Sequence, residues 1–344
     1  MNAFINDYKN KLDKFKESSD LTELFKLWYE AQKEFVKNLE KIELDEKGKE
    51  IKKRFDDYFN GTEEDYKKLE KIGKCGEEER EFRKKLEIRK WFFPDGIIEE
   101  KDGTKYARQS KRVLYLLKET TALGQIRTRR DKDNEEDQKR KDYVLKNRDR
   151  FWNYKDFDFG LKRDILSTDK EFYTNIGIKY DDLQGDNNSF VRRIYQMQYY
   201  LTEGKSIDIK KEYKFDNAKN YLLKNPVAYM NLNKMGGGGL GDKFGIWPVY
   251  AQIFSDFIKK EIEILSPNII VCCGTFNVVK ELFKEENSQW YDFCGKIKNP
   301  NCIVYNMIHP SIPTLKPKKY HDDYQSIFIG RVETINKNKQ CIKE

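Results

Sequence analysis

Four short apolar runs, each of buried-strand length, constrain this chain more than any other feature. They are Val-Leu-Tyr-Leu-Leu at 113–117, Pro-Val-Ala-Tyr-Met at 226–230, Asn-Ile-Ile-Val-Cys-Cys at 268–273 and Cys-Ile-Val-Tyr-Asn-Met-Ile at 302–308. Runs rich in branched and aromatic side chains suit strands covered on both faces. Helical periodicity separates the later ones. Ile253, Phe254, Phe257, Ile258, Ile262 and Leu265 fall on one face across 252–265, and 276–283 covers the next connection. Strand–helix–strand alternation predicts the parallel β/α units of an α/β fold, here a four-stranded parallel sheet flanked by helices. Right-handed crossovers then bring all four strand ends to one edge.

Residues 1–90 read as a helical N-terminal region. Leu21, Leu24, Phe25, Trp28, Ala31 and Phe35 recur at helical spacing, with Asp20 placed as an N-cap and Glu23 three positions on. A second stretch carries Phe55, Tyr58, Phe59, Tyr66 and Leu69, with a break at Asn60-Gly61 and Thr62 capping the next helix. These aromatic stripes read as core, not as chemistry. Residues 91–344 read as the α/β domain, opened by a turn-rich Trp-Phe-Phe-Pro-Asp-Gly at 91–96. A long insertion at about 124–222 separates its first two strands. Within it, residues 127–142 hold seven basic and six acidic side chains and read as a solvated segment. Asn188 and Ser189 begin a capped amphipathic helix carrying Phe190, Val191, Ile194, Tyr195, Met197, Gln198 and Leu201.

Charged residues are 37% of the 344, yet aromatics are 14%. That pairing indicates a folded protein with a heavily solvated surface rather than a disordered one. The formal net charge of +8 favours a polyanionic partner, nucleic acid or acidic lipid. Six cysteines, at 75, 272, 273, 294, 302 and 341, include no Cys-x-x-Cys pair. The pattern fits reduced thiols and offers no zinc or iron–sulfur ligand set, so no metal or other cofactor is expected. The first residues lack a signal-peptide core, and no apolar run approaches the ~20 residues needed to span a bilayer. A soluble, cytoplasmic protein is expected.

Chemistry-bearing residues gather where the strands end. The first run leads into Lys118-Glu119-Thr120-Thr121, the second into Asn231-Leu232-Asn233-Lys234-Met235 and a four-glycine run at 236–239, and the last into His309-Pro310-Ser311. A carboxylate, a carboxamide and an imidazole at the same edge of a parallel sheet make a reaction centre. His309 is one of only two histidines, and the proline after it stops the strand.

In these motifs the chain resembles the uracil-DNA glycosylase superfamily. The matching stretches are Leu-Leu-Lys-Glu at 116–119, Met-Asn-Leu-Asn-Lys at 230–234, His-Pro-Ser at 309–311, and Ser-Pro-Asn-Ile-Ile-Val-Cys-Cys-Gly at 266–274 as a third strand. The resemblance covers roughly 90–330 and is greatest to a divergent bacterial branch, some members of which look like phage-defence glycosylases acting on modified bases. It implies a DNA glycosylase with DNA as partner. Glu119 would stabilise the sugar cation and handle water, a task that Thr120 contests because the first loop lacks the family's usual Pro and Gly. His309 would stabilise the departing base, and Asn231 would read its edge in either a uracil-like or a cytosine-like sense. Lys118, Thr120 and a stacking aromatic (Trp152, with Phe151 and Phe190 as alternatives) would complete the substrate site. Lys234, Ser311, Lys316 and Lys318 would hold phosphates, with Gly236 and Gly237 allowing close backbone approach. Leu315 or Ile312 would enter the space of the extruded nucleotide. Structural roles compete with each assignment: Glu119 as a helix cap, Asn231 closing a turn, His309 bonding backbone. A hydrolase of small nucleosides or nucleotides and a non-catalytic module binding modified DNA are the rival functions.

Overall fold

The computed structural model of the chain describes residues 21–39, 46–60, 90, 92–99, 104–120, 139, 142–143, 146, 188–236, 245–285, 288–298, 301–310 and 323–338. Its strands are β1 (Gly96–Ile97), β2 (Val113–Thr120), β3 (Ala228–Gly236), β4 (Ile269–Cys273), β5 (Gln289–Trp290), β6 (Cys294–Ile297) and β7 (Cys302–Met307). Its longer helices are α1 (Leu21–Asn38), α2 (Glu46–Asn60), α3 (Ser189–Glu203), α4 (Phe215–Lys224), α5 (Ile246–Ile253), α6 (Ser255–Leu265), α7 (Phe276–Leu282) and α8 (Asp323–Asn338).

The strands form one seven-stranded mixed sheet in the order β1-β3-β2-β4-β7-β6-β5, which corrects the expectation of four parallel strands. The four apolar runs supply its parallel centre, β3-β2-β4-β7. The three added strands pair antiparallel at the edges, β1 on β3 and the β5–β6 hairpin on β7. Each has only two to four residues, too few for a period-2 signal to stand out.

Alternation along the centre strands builds two apolar layers. Leu114, Leu116, Ile270, Cys272, Cys302 and Val304 face one way, against α1, α2, α5, α6 and α7. Val113, Tyr115, Leu117, Val271, Cys273, Tyr305 and Met307 face the other, against α3, α4 and α8. Trp28, Phe35, Phe55 and Tyr58 of the N-terminal helices therefore belong to the same core as the sheet. The helical stretch read over 252–265 is divided at Phe254, which ends α5 and precedes α6. Asn188 caps α3 as expected, its side-chain oxygen accepting from the amides of Phe190 and Val191 at 3.1 Å each.

Cys272, Cys273 and Cys302 are free and buried. Burial pushes the Cys302 thiol up to about 12, so it behaves as a small apolar filler. Cys294 departs from the expected reduced state and is disulfide-bonded. No helix among the described residues is long and apolar enough to cross a membrane.

One polar cluster lies within the first layer. Lys234, on β3, is fully buried and pairs with Asp95 and, at 2.8 Å, with Glu261 of α6. The rings of Trp28 and Phe25 from α1 lie 5.0 and 5.4 Å from its ammonium. Two carboxyls thus share one cation away from water. Burial pushes Glu261 up to about 7; Lys234 opposes that rise and Asp95 adds to it. Burial also raises Asp95, against the pull of Lys234 and of the hydrogen bonds from Asn231.

Because the folded state holds a proton on Glu261 that the unfolded chain releases near the ordinary value of 4.5, folding binds protons between that value and about 7. The stability this proton supplies is present at mildly acid pH and is lost as pH rises through that window. Glu261→Gln removes the titration. Denaturant melts at several pH values should show the wild type losing on the order of 1–3 kcal/mol relative to the variant between pH 4.5 and 7. A pH-independent difference would remove Glu261 as a titrating buried group.

Candidate functional site

The chain leaves β2 for β3 on one side and reaches β4 on the other, so strand order reverses at β2. In open α/β sheets such reversals open a crevice at the carboxyl ends of the strands. Lys118 lies near the end of β2, Gly274 directly after β4, and His309 two residues after β7.

These three residues come together. A Cβ placed on Gly274 would sit 3.1 Å from Cε of Lys118, 3.7 Å from Cβ of His309 and 3.8 Å from the His309 backbone nitrogen. Gly274 has φ +76°, and its amide donates to the Met307 carbonyl at 2.7 Å, drawing the β4 end against the β7 end. Thr275 comes next, its hydroxyl donating to the Leu116 carbonyl at 3.1 Å and tying the same turn to β2. Aromatic rings flank the group from both layers. The Lys118 ammonium lies 5.6 Å from the Trp247 ring centre, on α5. The Phe190 ring, at the start of α3, lies 6.4 Å from the imidazole of His309 and is tilted 32° to it. Lys118 and His309 are both half-buried.

The result is a glycine-floored junction with an ammonium, an imidazole and two aromatic faces. Its chemistry suits a planar group that carries or develops negative charge, with cation and donor meeting the charge and a ring meeting the plane. Among the described residues no three His, Cys, Asp or Glu side chains gather as a metal site.

Other expected site residues fall elsewhere. Glu119 and Thr120 belong to β2 itself, Glu119 in register with Asn233 and Thr120 with Gly236. β3 likewise runs through Asn231, Asn233 and Lys234 as far as Gly236, the first of the four glycines. Two residues of β3, Lys234 and Met235, lie between partners that are adjacent on β2, and Asn233 accepts from the Met235 amide at 3.0 Å within this irregularity. Asn231, in register with Leu117 of β2, is buried, with its carboxamide nitrogen donating to Asp95 Oδ1 at 2.7 Å and its backbone amide to Asp95 Oδ2 at 2.6 Å. The bond to a carboxylate fixes the amide orientation and leaves its oxygen for any ligand.

Lys234 is a correction. A phosphate-holding role requires exposure, whereas its side chain is fully buried between Asp95 and Glu261. Trp152, Gly237, Ser311, Leu315, Lys316 and Lys318, with the alternatives Phe151 and Ile312, lie outside the described residues.

Sequence reasoning passed over Asp95, Trp247, Gly274 as a site residue, and Glu261. Glu261 did carry a signal: it falls three positions after Ile258 and four before Leu265, on the apolar face of α6.

No family model matches the chain, and neither the curated proteins nor the solved structures provide a match.

Gly274 and Gly330 make a stability pair. At φ +76° an L-residue costs about 1–2 kcal/mol, and the new methyl would press on Lys118. At Gly330, on the exposed side of α8, a Cβ meets nothing within 4 Å, so alanine should stabilise by roughly 0.4–1 kcal/mol. Thermal melts should therefore move in opposite directions for Gly274→Ala and Gly330→Ala. An unchanged melting temperature for Gly274→Ala would contradict the tight junction.

Proposed function

We propose that the chain is a DNA glycosylase that takes a uracil-like or modified pyrimidine out of the helix and hydrolyses its N-glycosidic bond. Phage DNA carrying modified bases is the target class that the branch resemblance suggests. The observation that carries the reading is the convergence of Lys118 and His309 on Gly274 at the strand-order reversal, with Trp247 and Phe190 on either side. The motif order along the chain and the net charge of +8 support a polyanionic substrate.

In this reading the bond between C1′ and the base nitrogen breaks with its electron pair leaving on the base. Positive charge develops on the sugar and negative charge on the ring. His309 donates to the base oxygen, and the Lys118 ammonium adds its field. One such donor typically contributes ~2.7–4 kcal/mol. Glu119 stabilises the sugar cation and orients the water whose oxygen bonds to C1′. The water's proton leaves through that carboxylate, the base departs protonated, and an abasic site remains. Asn231 offers its carboxamide oxygen to an N–H on the base edge. Phe190 takes the stacking role among the aromatic candidates because it stands beside His309.

The test is single-turnover base release from DNAs carrying uracil and a range of modified pyrimidines, with the freed base identified by mass spectrometry. Glu119→Gln should slow release by about 100-fold or more while gel-shift binding persists. His309→Ala should cost roughly 100–1000-fold. Binding should weaken steeply with added salt. Absence of base release together with indifference to DNA would overturn the reading in favour of a small-molecule hydrolase.

A further inference from the structure

His309 stands just beyond the sheet ladder, on the short stretch that leaves β7. Its two neighbours are held by buried side chains from two helices of the same layer. The Tyr324 hydroxyl, from α8, donates to the Ile308 carbonyl at 2.7 Å. The Arg193 guanidinium, from α3, donates through Nη1 to the Pro310 carbonyl. The two donors are themselves joined, with the guanidinium 4.9 Å from the Tyr324 ring centre. Arg193 is 4% exposed and Tyr324 5%.

We propose that Arg193 and Tyr324 are positioning residues that clamp the 308–310 turn and thereby set the imidazole of His309 against Gly274, Lys118 and Phe190. Burying a guanidinium is costly, and an apolar side chain of similar volume would fill the space without that cost. What it supplies here is a charged donor to a carbonyl beyond the end of β7, and such bonds contribute more than neutral ones. Burial holds the Tyr324 phenol well above its ordinary value, so it stays protonated and able to donate. Burial lowers Arg193 while Tyr324 opposes the shift, and a guanidinium remains charged across ordinary pH. Pro310 is buried and contributes no amide of its own, which leaves its carbonyl as the point of grip. Because Arg193 shares α3 with Phe190, one helix sets both the imidazole and the ring beside it. The functional role of the clamp rests on His309 acting in the proposed reaction; the positional role does not.

With only His309 and His321 in the chain, a carbon–proton NMR spectrum holds two imidazole Cε1–H signals, assigned with His309→Gln. Tyr324→Phe removes the hydroxyl and keeps the ring; Arg193→Met removes the fork and keeps the volume; Arg193→Lys keeps the charge. Tyr324→Phe and Arg193→Met should each displace or broaden the His309 signal and leave that of His321 in place. In base release they should lower kcat by about 10-fold or more with KM within about 2-fold, and Arg193→Lys should recover part of the loss. An unmoved His309 signal in folded Tyr324→Phe overturns the clamp even if Arg193→Met fails to fold. The spectrum is recorded without DNA, so failure of the glycosylase reading and failure of the clamp are separate outcomes.

Discussion

A single buried ammonium ties the second parallel strand of the sheet to the segment before β1 and to two helices of one layer. Lys234 is enclosed by Asp95, Glu261, Trp28 and Phe25, contributed by the segment before β1, by α6 and by α1. Removing a charge from water costs several kcal/mol, and only close partners return it. Each of those segments is therefore held where it completes the set, because withdrawing one leaves an uncompensated charge. Burial away from water is what pushes the carboxyls of Glu261 and Asp95 upward, Lys234 opposes the rise in both, and the Asp95 charge adds to it at Glu261. The cluster also takes in Asn231 of β3, since the same Asp95 carboxylate that meets Lys234 accepts from both amide groups of that residue.

This arrangement explains what the sequence made legible and what it concealed. The centre strands are visible because 113–117 of β2, most of β4 and most of β7 are buried, so apolar side chains succeed one another there with Asn306 as the one polar residue. β3 is just as buried, but its second half reads Asn-Leu-Asn-Lys-Met-Gly and looks like a loop. Its polar groups are satisfied by a carboxylate 136 residues away and by a local bond from Met235 to Asn233, and neither partner is announced by spacing. Lys234 misleads for the same reason. A lysine near glycines suggests a phosphate contact, and only its distant acids show that it is core.

The candidate site was partly legible on the same terms. His309 was visible as a rare residue released from an apolar run, and Lys118 as the first charge after another. Trp247 and Gly274 were not, because their relevance comes from the third dimension. Trp247 arrives from the connection between β3 and β4, and Gly274 matters through a positive φ that a sequence does not display. Lys118, Gly274 and His309 are distant in the chain and adjacent only because parallel pairing brings the ends of β2, β4 and β7 to one edge.

The two helical layers contribute to that edge unequally, and the difference bears on how the crevice works. α5 brings Trp247 to Lys118, and the cation–aromatic contact holds the lysine ammonium without removing its charge. α3 brings Phe190 to His309, and Arg193 on the same helix grips the turn that carries the imidazole. Charge is thus set from one layer and donor geometry from the other, with Gly274 between them as the floor. A planar anion-forming group entering this junction would meet a pre-positioned cation and a pre-positioned imidazole, so little reorganisation would remain for the moment of reaction. Electrostatic stabilisation is most effective under that condition, because the reorganisation of dipoles is completed when the chain folds.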